Sequence, residues 1–169
     1  MLPAVFVVRA TRKLLTRVGT PVPDSSERST TVLGDWYATI LFWQPQVALF
    51  VNEATLLPVL MPLAPAATVT ERFPQALSLL LTAHQVSRRF IEAEVAQMAD
   101  CRLAPTTNRS VVGIMNEFTR LAETYRAARG QQNLIPLAVR LAETPCGPLY
   151  RRHISPDREL AALTAQHPR

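Results

Sequence analysis

The stretch from Trp36 to Val51 constrains this chain more than any other. Trp36–Trp43 (WYATILFW) and Gln46–Val51 (QVALFV) are dense in aromatic and β-branched residues and are joined only at Gln44-Pro45. Such composition favours strands, and the connection is far too short for a parallel crossover. The two are therefore predicted to pair as an antiparallel hairpin. Side chains alternate across a strand, so Trp36, Ala38, Ile40 and Phe42 share one face, and Tyr37, Thr39, Leu41 and Trp43 the other. Both faces are largely apolar. The hairpin must be covered on both sides, either by the chain itself or by a partner.

The remaining segments supply candidates for that cover. Ala4–Val8 reads as a buried strand, and Thr11 can cap a short helix through Val18 that turns Leu14, Leu15 and Val18 inward and ends at Gly19. Residues 20–31 (TPVPDSSERSTT) carry two prolines, many hydroxyls and no periodicity, the composition of a mobile polar loop. Leu56–Leu63 is apolar, but Pro58 and Pro62 confine it to an edge strand or an extended segment. Beyond residue 68 the period becomes helical. One helix is placed from Pro74, in its first turn, to His84; a second follows Ser87; and Cys101–Ala104 is read as a return strand in the sheet. Ser110 is read as the N-cap of the longest helix, Val111–Arg129, with Val111, Ile114, Met115, Phe118, Leu121, Ala122 and Tyr125 as its apolar stripe. Asn133 opens a helix to Glu143, and Ser155-Pro156 opens the last one. The expected class is α+β: one domain over residues 1–169, with an antiparallel sheet of about four or five strands packed against about five or six helices.

Charge narrows the function less than it narrows the partner. The net charge is +5 with a pI near 10.0, a balance that favours anionic partners, nucleic acid among them. Lys13 is the only lysine, and the wealth of Arg, Ala, Leu and Pro is also what GC-rich codon usage produces. No Lys or Arg stands between Thr31 and Thr68; the cations gather at residues 9–17, 102–129 and 140–169. Cys101 and Cys146 form no CxxC pair, and His84, His153 and His167 have no partner at metal-ligand spacing, so no metal and no cofactor is expected. No apolar run approaches the ~18 residues of a membrane span. The opening MLPAVFVVR lacks the charged start and cleavage site of a signal peptide, so a cytoplasmic address and no membrane partner are expected.

Two polar clusters are the candidate sites. The first joins Leu33-Gly34-Asp35-Trp36-Tyr37, leading into the hairpin, with Asn52-Glu53-Ala54-Thr55 at its end; Asp35, Trp36, Asn52 and Glu53 are its candidate residues. A hairpin brings these together, and paired carboxylates share a proton or hold a divalent ion, whereas turn residues merely tie off strand ends. The second is Thr106-Thr107-Asn108-Arg109-Ser110, leading into the long helix. A helix start exposes unpaired N–H groups and a partial positive charge. With two threonine hydroxyls, an amide, a guanidinium and a serine beside it, this segment is a candidate ligand-binding cradle for phosphate or carboxylate. Gly113 nearby leaves room for an approaching ligand.

Several of these segments resemble a family of bacterial proteins known only as a domain of unknown function. The likeness is carried by RATRKLL at residues 9–15, LGDWYA at 33–38, LFVNEATL at 49–56 and, most specifically, TNRSVVGIMN at 107–116. The resemblance implies one domain spanning the chain and brings no activity, substrate or catalytic residue with it. The sequence itself carries no GxSxG, Walker loop, GxGxxG, HExxH or Cys–His arrangement. Three readings follow. The charge pattern favours a binding module for an anionic partner (RNA, DNA or a phosphate-bearing ligand), centred on Thr106–Ser110 and using Arg9, Arg12, Lys13, Arg109 and Arg120. The alternatives are a protein–protein module or obligate oligomer using the aromatic hairpin, and a small hydrolase or nuclease using Asp35, Glu53 and Arg109.

Overall fold

The computed structural model describes residues 4–19, 27–129 and 133–167. Within them one five-stranded sheet runs in the order β4-β3-β2-β1-β5, with β1 Val5–Ala10, β2 Trp36–Leu41, β3 Val47–Asn52, β4 Pro58–Pro62 and β5 Asp100–Pro105. The hairpin pairs as expected, from Trp36↔Asn52 to Leu41↔Val47. β4 joins β3 antiparallel at the sheet edge, where its two prolines leave no inner ladder bond unmade.

The sheet is mixed rather than antiparallel, which corrects the expectation. β1 pairs parallel with β2 on one side and parallel with β5 on the other. The reason is chain length: residues 11–35, including α1 Arg12–Val18, separate β1 from β2 and are long enough for a parallel crossover.

The layers follow from the alternation of the strands. Phe73 of α2 (Val69–Ala83) stacks on Phe50 at 4.1 Å, meets Trp36 edge-on at 5.0 Å and lies 6.1 Å from Phe6. Tyr37 points to the opposite face, which α4 (Arg109–Arg129) covers with its buried stripe of Val111, Ile114, Met115, Phe118 and Ala122. α5 (Leu134–Leu141) packs on β4 beside α2 and α4, and α3 (Arg88–Ala96) packs on α2. Thus the hairpin's two apolar faces are both covered from within the chain. α6 is Pro156–Ala165.

Three local expectations are corrected. α2 begins at Val69 and takes Pro74 into its interior. Its first turn is fixed instead by Arg72, whose guanidinium donates to the carbonyls of Pro62, Leu63 and Pro65. Phe42 is 61% exposed, because β2 ends at Leu41 and the chain turns away. Of the loop at residues 20–31, residues 20–26 lie outside the described residues. Glu27–Thr31, however, are tied down: the Thr30 amide donates to the Val5 carbonyl at 2.9 Å, and the Val7 amide donates to Ser29 Oγ at 2.8 Å.

Candidate functional site

The first cluster is an internal knot. Asp35 accepts from Arg9 Nε at 3.4 Å, from Arg28 Nη1 at 3.4 Å and from the Ser29 amide at 2.9 Å. Glu53 is joined to it through the same Arg28, at 3.6 Å, so the two carboxylates share a guanidinium. Among the described residues no group of three or more His, Cys, Asp and Glu is placed to hold a metal. Asn52 is fully buried: its Nδ2 donates to the Leu33 and Asp35 carbonyls, and its Oδ1 accepts from the Thr55 amide and hydroxyl at 2.9 Å each. Trp36 is core. Glu94 of α3 reaches in from outside the hairpin and accepts from the amides of Val32 and Leu33, both at 2.9 Å. Gly34, at φ +81°, makes the turn that an L side chain resists.

Burial of Glu94 pushes its pKa up, against the two amide bonds and the charge of His167 that hold it down. The thiols are held protonated by burial as well, Cys101 pushed up to about 12 and Cys146 to about 11. Neither is a nucleophile at neutral pH.

The second cluster is built on one hydroxyl. β5 ends at Pro105, opposite Ala10 of β1. Thr106–Asn108 then turn over the sheet, where the Asn108 amide donates to the Tyr37 hydroxyl at 3.0 Å and Thr107 Oγ1 bonds the same oxygen at 3.2 Å. Asn108 Oδ1 accepts from the amides of Ser110 at 2.9 Å and Val111 at 3.3 Å. Asn108 is therefore the cap, and Ser110 lies inside the first turn, a correction to the expected cap. An Asn side chain two residues upstream reaches those amides and frees the serine hydroxyl. Arg109 and Ser110 are exposed, and Arg109 forms no ion pair among the described residues. It is not an internal clamp onto Asp35 or Glu53. Around Gly113 there is open space.

The register extends this edge. Because Ala10 and Pro105 are paired, α1 and α4 start from the ends of adjacent parallel strands. Thr11 does not cap its own helix; its hydroxyl bonds that of Thr39 at 3.1 Å. Arg12 and Lys13 are exposed beside it, with Lys13 Nζ 5.3 Å above the Phe42 ring. α1 packs near the turn that leads into α2, whereas α4 lies on the Tyr37 face. The carboxyl ends of parallel strands whose helices part to opposite faces are where open α/β sheets take ligands.

The structure thus keeps Asp35, Trp36, Asn52 and Glu53 together, keeps Thr106–Ser110 together, and does not join Arg109 to the first group. Arg9 drops out of the basic surface, being buried against Asp35. Arg28, Ser29 and Glu94 were not anticipated, and Tyr37, expected in the first cluster, supports the second instead.

These features define an α+β protein on a mixed five-stranded sheet, with two basic helix starts at the carboxyl ends of the adjacent parallel strands β1 and β5. The family model "Domain of unknown function (DUF6933)" matches residues 7–159, and the chain belongs to that family. No curated protein and no solved structure matches it. Among the described residues no helix is long and apolar enough to cross a membrane.

Proposed function

We propose that this chain is a binding module for an anionic, phosphate-bearing partner, held at the start of α4 by Arg109, Ser110 and the first-turn amides. Arg12 and Lys13 extend the contact from the neighbouring strand end. One observation carries the reading. The Tyr37 hydroxyl, Thr107 Oγ1 and Asn108 Oδ1 beneath the helix start are committed to fixing it, whereas Arg109 and Ser110 on its outer side face solvent, with no ion pair at Arg109 among the described residues. That supports a rigid, preorganised cationic surface, and a preorganised surface binds at lower entropic cost. The absence of ion pairs at Arg12, Lys13 and Arg120 among the described residues supports the same reading.

The competing readings find less support. The hairpin's apolar faces are buried by the chain's own helices, which accounts for their composition without a second protein. A hydrolase built on Asp35, Glu53 and Arg109 lacks its assembly, since Asp35 is spent on Arg9, Arg28 and the Ser29 amide. The test is titration of a labelled single-stranded oligonucleotide, with pyrophosphate as competitor, across a salt series. Binding that weakens steeply with salt is expected from phosphate neutralisation; no binding at low salt, or binding indifferent to salt, overturns the proposal.

A further inference from the structure

The hairpin tip between β2 and β3 combines an exposed aromatic ring with cations from two helices. Phe42 is 61% exposed, one residue past the end of β2, and Lys13 Nζ of α1 lies 5.3 Å above its ring. One turn further along α1, Arg17 Nη1 donates to Gln46 Oε1 at 2.9 Å, so Lys13 and Arg17 share the helix face that lies along the tip. From α4, the Arg126 guanidinium lies 4.5 Å from the centre of the buried Trp43 ring. Lys13, Arg17 and Arg126 form no ion pair among the described residues, and neither α1 nor the stretch from Trp36 to Asn52 holds an Asp or Glu. β1 pairs parallel with both β2 and β5, so Phe42, the start of α1 and the start of α4 follow the carboxyl ends of three neighbouring strands. β2 and β5 are two strand spacings apart, about 10 Å, a span that a short oligonucleotide covers.

We propose that the anionic partner is a single-stranded nucleic acid, one base of which stacks on Phe42 while Lys13 and Arg17 meet the phosphates beside it. The inference rests on the phosphate-binding reading of the α4 start and adds what a phosphate alone does not need, a base. An unpaired base offers a flat π face whatever its identity, and aromatic rings set among cations hold single strands without sequence preference. A duplex keeps its bases stacked on one another and leaves Phe42 nothing to cover. A lipid surface fits the tip less well. Of its two aromatics only Phe42 is exposed, and Gln44 and Gln46 beside it are polar, whereas anchoring in a lipid interface draws on a whole apolar face.

The test compares a labelled short oligothymidylate with an abasic strand carrying the same number of phosphates, each titrated with the full native chain and with Phe42→Ala at one salt concentration. The native chain should bind the oligothymidylate at least about fivefold more tightly than the abasic strand, the low end of the gain from one stacked base. Phe42→Ala, at an exposed position, should lose that preference yet bind the abasic strand as the native chain does, and Phe42→Trp should restore it. Equal binding of the two strands by the native chain, or a preference that survives in Phe42→Ala, overturns the stacked base and leaves the phosphate-binding reading standing. Failure of both strands to bind overturns both. Sedimentation with phosphatidylserine–phosphatidylcholine vesicles that depends on Phe42, without a preference for the base-bearing strand, assigns the tip to a lipid surface and likewise overturns the proposal.

Discussion

Arg9 and Asp35 form an ion pair in which each side chain is only 3% exposed, with Nε 3.4 Å from Oδ2. Asp35 is also the acceptor for Arg28 and the Ser29 amide, so Asp35→Asn breaks a buried charge network and is expected to destabilise the fold by about 3–5 kcal/mol. Chemical denaturation measures it. A loss under 1 kcal/mol, by the same reasoning, would show that water reaches Arg9 readily.

The cap assignment at α4 separates two neighbouring polar residues. Asn108→Ala removes the acceptor for two first-turn amides and should cost about 1 kcal/mol, whereas Ser110→Ala should stay within about 0.5 kcal/mol. Parallel urea titrations decide it, and the reverse order would return the cap to Ser110.

Glu94 gives a pH dependence of unusual sign. Its folded pKa is raised, first by burial, so between the unfolded and folded values the native state binds more protons than the unfolded chain. The contribution of Glu94 to stability is thus full below the ordinary carboxylate range and is lost as pH rises through the raised value. The stability of the native chain relative to Glu94→Gln should decline as pH rises above the ordinary carboxylate range of about 4. A flat difference would place Glu94 in water.

In the hairpin, Ile40→Ala should cost about 2–5 kcal/mol and Phe42→Ala no more than about 1 kcal/mol, because only the former empties a packed site. Melting curves of the two variants compare them directly.

Local chemistry was legible in the sequence wherever neighbours decide the outcome. The short link at Gln44-Pro45 dictated the hairpin, the prolines of residues 56–63 dictated an edge, and the stripe from Val111 to Tyr125 dictated α4. What the sequence hid depends on distant contacts. The parallel pairing of β1 with β5 joins segments some ninety residues apart, and no local signal encodes it. Arg9 and Arg109 look alike as letters, yet one is buried by a carboxylate 26 positions away and the other is exposed. Phe42 continued the alternation of β2, but the turn that follows decided its exposure. Pro74 was placed at a helix start on its own preference, which Arg72 and Phe73 overrode. Both polar clusters were visible as clusters; that one is a knot and the other a surface required Tyr37, Glu94 and Arg28 to be seen in place.

The central claim, that the start of α4 binds a phosphate-bearing partner, is tested most directly by comparing Arg109→Ala with Arg89→Ala, an exposed arginine of α3 that forms no ion pair among the described residues. Both remove one positive charge, so they differ only in place. With folding verified by thermal melting, Arg109→Ala should weaken oligonucleotide binding by about ten- to a hundredfold, the worth of one charge-assisted hydrogen bond. Arg89→Ala should change it by no more than about twofold, as a remote screened charge does. Equal losses in the two variants, or an Arg109→Ala protein that folds and binds as before, would contradict the account.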